Sequence, residues 1–106
     1  MARTLIQAPA SATSGQAIEL RVLIAHPMET GYRPGADGRV LPRDILRRFT
    51  CRYNGVVVFT AEFYPAVAAN PYLAFYTVAT ETGTLEFEWQ GDNGFNQVER
   101  RTLLVA

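Results

Sequence analysis

The sequence predicts an all-β domain, an immunoglobulin-like β-sandwich of about seven antiparallel strands. Three observations carry this. Apolar residues recur with period 2, and no sustained 3.6-residue period appears. Clusters of Gly, Pro, Asn and Asp punctuate the chain roughly every 10 residues. The 106 residues, 48% apolar and 19% charged, suit one domain over 1–106 with one core.

Leu5 to Ala8 reads as a short first strand, and Ser11 to Gly15 as a polar turn. From Ala17 to His26 the alternation is clearest. Ile18, Leu20, Val22 and Ile24 share one face; Glu19, Arg21 and Leu23 share the other. Pro27 lacks the N–H that a ladder needs and ends the strand. Pro27 to Asp44 is then a connection with three Pro and three Gly. A structureless loop of that length is unusual in a compact domain and often functional. A local hairpin around Asp37-Gly38 is the alternative.

Ile45 to Tyr53 is the next strand, with Ile45, Arg47, Phe49, Cys51 and Tyr53 on one face and Leu46, Arg48, Thr50 and Arg52 on the other. Asn54-Gly55 supplies the positive-φ pair of a type I′ hairpin turn. The return strand, Val56 to Tyr64, is apolar on both faces, which predicts burial on both sides, by the fold itself or by a partner. Pro65 to Pro71 is a turn-rich crossover. Phe75 to Thr80 and Thr84 to Gln90 are strands joined through Glu81-Thr82-Gly83; in the second, Leu85, Phe87 and Trp89 oppose Glu86 and Glu88. Asp92-Asn93-Gly94 turns the chain, and Gln97 to Val105 closes the fold.

Composition narrows the chemistry. Ten Arg balance ten acidic residues, so no basic excess points to nucleic acid. No apolar run approaches the roughly 18 residues of a membrane helix. One Cys and one His are too few for a zinc or blue-copper centre within one chain, and no cofactor is expected. Ser11 and Ser14 lack a nucleophile-elbow glycine pattern, so the chain does not read as an enzyme. After Met1 no basic start leads into an apolar segment, so no signal peptide is visible, which alone predicts the cytoplasm.

Charge is nevertheless uneven along the chain. Residues 33–52 hold six Arg, and residues 53–99 hold none among six acidic residues. This predicts a basic and an acidic surface, suited to steering an anionic ligand or acidic partner; a solvated face is the plainer reading. Cys51 reads as a small buried hydrophobe. His26 reads as a loop-start hydrogen-bonding residue. The sharper alternative is a periplasmic metal or redox chaperone using His26, Met28 and Cys51 in a dimer. Interface candidates are Val57, Phe59 and Phe63 on the apolar strand, Asn70 and Tyr72 on the crossover, His26, Met28 and Arg33 on the long loop, and Arg47 and Arg48.

Several runs, in order and spacing, closely resemble the SoxZ family: Ala2-Arg-Thr-Leu-Ile-Gln7, His26-Pro-Met-Glu-Thr-Gly31, Tyr53-Asn-Gly55, Ala68-Ala-Asn-Pro-Tyr-Leu73 and Thr77-Val-Ala-Thr-Glu81. Gly83-Thr-Leu85 and Leu103-Leu-Val-Ala106 fit as well. The resemblance implies an immunoglobulin-like sandwich and a tight heterodimer with SoxY, which carries the sulfur substrate covalently on a cysteine in its flexible arm. It implies a non-catalytic subunit of the SoxYZ carrier in thiosulfate oxidation, in transient contact with other Sox enzymes. It further implies periplasmic location by co-export with SoxY, whose twin-arginine signal serves both chains. Cys51 lacks a glycine-flanked terminal arm and does not match the carrier cysteine. The Arg-rich stretch Arg43 to Arg52 departs from the pattern.

Overall fold

A computed structural model of the chain describes residues 2–106. Eight strands follow one another: β1 (Thr4–Gln7), β2 (Ser11–Ala12), β3 (Ala17–Ile24), β4 (Leu46–Tyr53), β5 (Val56–Glu62), β6 (Tyr72–Val78), β7 (Gly83–Gly91) and β8 (Asn96–Val105). They form two sheets, ordered β1-β3-β6 and β2-β8-β7-β4-β5. The sheets face each other as a sandwich of the immunoglobulin-like kind.

The core follows from alternation. Ile18, Leu20, Val22 and Ile24 of β3 pack against Leu85, Phe87 and Trp89 of β7, with Phe49, Cys51 and Phe75 among them. Phe49 lies at the aromatic centre, 5.1 Å from Trp89 and 5.8 Å from Phe75 between ring centroids. Such pairs add about 0.5–1.5 kcal/mol each beyond their burial. Asn54 and Gly55 both adopt positive φ, as the predicted hairpin turn requires.

Four expectations change. Ser11 and Ala12 are not only a turn: they form β2, parallel to Leu104 and Val105 of β8. Two residues are too short to show a period, and their partner lies at the far end of the chain. Second, the fold itself does not bury β5 on both faces. The strand is the edge of its sheet, with Val56 66% and Val57 51% exposed.

Third, β5 carries a bulge: Phe59 faces Cys51, but Val57 faces Arg52, leaving Val58 as the extra residue. Cross-strand partners share a face, so Val57 joins Arg52 on the outer surface while Val58 packs against the core. Fourth, a second irregularity lies between Leu46 and Arg48 of β4. Leu46 turns inward and is fully buried; Arg47 and Arg48 both turn outward. Strict alternation had placed Leu46 outside and Arg47 inside.

The connection from Pro27 to Asp44 is a projecting arm rather than a structureless loop. Glu29 pairs with Asp44 at its base, and Pro34 with Val40 near its tip. Gly38 takes φ +80° there, beside the predicted Asp37 turn. Overall dimensions are 58 × 20 × 19 Å. The ten residues of β8 span only about 33 Å, so the arm contributes much of the length.

Candidate functional site: the loop end and the open side

Two parts of the surface stand out: the end of the sandwich from which the arm leaves, and the side on which the outer strands of both sheets lie.

The loop end is organised by His26. Its backbone N–H donates to Asn70 Oδ1 at 2.9 Å, and its carbonyl accepts the Asn70 N–H at 2.8 Å. The arm base and the crossover after β5 are thereby joined at one point. Asn70 reaches both groups from φ +55°, a conformation Asn tolerates better than most residues. His26 Nδ1 accepts the Met28 N–H at 3.0 Å, so the ring hydrogen sits on Nε2. Nε2 lies 3.7 Å from Asp44, too far for a hydrogen bond. Phe95 packs edge-on against the ring. Burial pushes the imidazole below its ordinary pKa, against the pull of Asp44 and Asp92 in the opposite direction.

Met28 adopts φ +51°, costly for a non-glycine residue, and is held there from both ends. Its N–H is taken by His26, and its sulfur accepts the Leu46 N–H at 3.3 Å. His26 and Met28 are each only 5% exposed. The structure therefore brings His26, Met28 and Asn70 together, and the first two act as internal supports rather than surface contacts. Arg33 stays on the arm, paired with Glu29.

Cys51 is elsewhere. It is fully buried in the middle of β4, between Phe59 and Phe87 in register. Five residues of strand separate it from Leu46, beside which Met28 sits, or roughly 16 Å. Burial pushes its thiol up to about 12, opposed by Arg52. Such a thiol is a poor nucleophile and a poor ligand. Among the described residues no cluster of three or more His, Cys, Asp or Glu could hold a metal ion. The set His26, Met28 and Cys51 required by a metal chaperone is not brought together within the chain.

The predicted charge segregation is also corrected. Arg52 of β4 bonds Glu88 at 2.8 Å and Glu86 at 3.2 Å on β7, and Glu86 meets Arg100 of β8 at 3.1 Å. Arg43 forks onto Asp92 at 2.8 and 3.0 Å. Residues far apart in sequence become lateral neighbours in the sheet, so the arginines meet the carboxylates that sequence order had kept apart.

The open side is apolar. β5 ends one sheet and β6 ends the other, and their outer edges are unpaired. Val56 and Val57 on β5, and Tyr72, Tyr76 and Val78 on β6, are each at least half exposed. Register sets Leu5, Leu23 and Tyr72 in a row across the outer face of the smaller sheet. Two clefts, about 570 and 440 Å³, open along the seam; Val56 and Val78 line one, Tyr72 and Asn70 the other. Phe59 stacks on Phe75 at 4.2 Å, and Phe63 is 7% exposed. These two interface candidates belong to the packing beneath the seam. The exposed Val78 was missed because an edge strand and a core strand look alike in sequence.

The fold recurs in solved proteins. A superoxide reductase (neelaredoxin) from Ignicoccus hospitalis is similar with a TM-score of 0.73, at 18% identity over 99% of this chain and 82% of its own. The sulfur carrier protein SoxY from Chlorobium limicola f thiosulfatophilum is similar at 0.68, with 16% identity over 97% of this chain and 78% of its own. A superoxide reductase described as putative, from Thermotoga maritima, reaches 0.74 at 14% identity over 97% and 85%. At these identities the likeness shows the fold alone. No curated protein matches the sequence. The family model of sulphur oxidation protein SoxZ, by contrast, matches residues 6–102. With nearly its whole length covered, this chain belongs to the SoxZ family of the Sox sulfur-oxidation system.

Proposed function

We propose that the chain is the non-catalytic partner of SoxY in a SoxYZ heterodimer. It stabilises SoxY and helps present cysteine-bound sulfur intermediates to the other Sox enzymes during thiosulfate oxidation. The observation that carries this reading is the family match over residues 6–102. The open side supports it physically. Unpaired edges and a row of exposed Val and Tyr are the material of protein interfaces, and Tyr is enriched where binding energy concentrates. The arm, with exposed Tyr32 and Val40, offers a second contact element. Cys51, buried and with a raised pKa, supports a subunit that supplies no nucleophile of its own.

The same reading sets the compartment: the periplasm, reached by co-export with SoxY. Tagged chain recovered from the periplasm of its native host on thiosulfate, and weighed by intact-mass spectrometry, tests both parts. A 1:1 partner bearing sulfur adducts on a terminal-arm cysteine is the expected result. A lone chain confined to the cytoplasm would overturn it.

A further inference from the structure

A cleft of about 720 Å³ lies beside the loop end, between the start of β4, the residues after β5 and the turn joining β7 to β8. Arg43, Arg47 and Arg48 line it, with Tyr64, Gln90 and Phe95. The irregularity in β4 creates it, because both Arg47 and Arg48 point outward there instead of alternating. Gly91 lets the backbones close up behind it: a Cβ at that position would lie 2.8 Å from the Ile45 carbonyl oxygen. The Arg47 carbonyl accepts the Phe63 N–H at 2.9 Å, which anchors the bulged backbone.

The three cations are not equivalent. Arg43 is neutralised by its fork onto Asp92, and Asp92 is in turn fixed by the Ile45 N–H at 3.2 Å. Arg48 has Glu62 at 3.6 Å. Arg47 has no carboxylate within ion-pair distance among the described residues, and its field still reaches Asp92, adding to the pull of Arg43 that holds that carboxyl low. The cleft thus keeps one net positive charge, on a guanidinium whose planar fork matches oxoanions.

Size decides what bears the anion. A cleft of this volume is in the range that takes drug-sized organic ligands, far more than a bare tetrahedral oxoanion fills. Its three rings, Phe63, Tyr64 and Phe95, and the Gln90 amide suit a peptide. We infer that the cleft recognises an oxoanion carried on a short extended peptide segment, with Arg47 as the recognising cation. The anion preference comes from the cleft itself; choosing an S-sulfonate as the probe rests on the sulfur-carrier reading.

The test is an NMR titration of the full chain with a pentapeptide whose central cysteine is S-sulfonated. The unmodified cysteine peptide, a glutamate peptide and sodium sulfate serve as comparison ligands. Saturable shifts in Gly91 to Asn96, with the S-sulfonated peptide at least tenfold tighter than the cysteine peptide, are expected. Arg47→Gln should abolish that tenfold difference, Arg47→Lys should keep part of it, and Arg39→Gln at the arm tip should leave it intact. Equal affinity for the two cysteine peptides overturns the inference, unless the glutamate peptide alone is preferred through Arg47. That outcome keeps the anion site and counts against the carrier chemistry. Sulfate binding as tightly as the peptide, or no effect of Arg47→Gln, overturns it outright.

Discussion

Strands β5 and β7 flank β4 on opposite sides, and both are rich in apolar residues, yet they end in different environments. In β7, Leu85, Phe87 and Trp89 are buried just as the period demands. β7 has neighbours on both edges, β4 and β8, and two ladders fix its register. β5 has one neighbour, slips by a residue at Val58, and leaves Val56 and Val57 in solvent. β7, paired on both sides, follows its pattern from Leu85 to Trp89, whereas β4, also paired on both sides, departs from it near its start, between Leu46 and Arg48. β5, paired on one side only, bulges at Val58 with a single ladder to oppose the change. The open side of this molecule is the consequence.

The comparison can be broken most severely at its buried end. Trp89→Ala should cost about 3–5 kcal/mol, measured by urea unfolding, because Trp89 sits against Phe49 at the centre of the core. A loss below about 1 kcal/mol would mean that β7 is not the central strand described.

Phe59→Ala probes the inner face of the edge strand. Phe59 is partly exposed but stacks on Phe75 at 4.2 Å, so a stability loss of about 2 kcal/mol is expected. Unchanged stability with weakened binding of SoxY would assign this ring to the interface instead.

Beyond the C-terminal end of β7, Phe95 packs on His26, and pH reads that contact. The His26 pKa is lowered from 6.5 in the fold, chiefly by burial. As pH falls through that ordinary value toward the lower folded one, the unfolded chain binds the proton first, so stability falls. The slope should stay below about 1.4 kcal/mol per pH unit. Asp92 and Glu88, whose pKa values are lowered from 3.8 and 4.5 by hydrogen bonds from Arg43 and Arg52, act only in a more acid window. His26→Gln should therefore flatten unfolding free energy between about pH 7 and 5 while leaving the acid limb intact. A wild-type slope in that variant would refute the assignment.

The smallest effect on stability belongs to the outer face of β5. Val57→Ser, at a side chain 51% exposed, should change stability by no more than about 0.5 kcal/mol. Its effect on the Kd for SoxY, read by calorimetry, should be larger than its effect on folding. The reverse order would show that the open side is a solvated edge.

Much of the site was legible only as residue types. His26, Met28 and Asn70 are identifiable from the sequence, and they do converge at the loop end. Their role is not visible there, because a buried support and an exposed contact carry the same side chain. Only the hydrogen bonds that tie His26 to Asn70 and Met28 distinguish the two. The arginines taught the converse. Their clustering along the chain suggested a basic surface, and pairing between strands cancelled most of it.

The sequence by itself determined the sandwich, the inward faces of β3 and β7 and the hairpin at Asn54-Gly55, because period and turn chemistry act between residues close in the chain. Tertiary structure alone decided the parallel pairing of β2 with β8, the two bulges, and the unpaired cation at Arg47. Each depends on which distant strand lies alongside, and a one-residue shift of register reverses the face that a side chain presents.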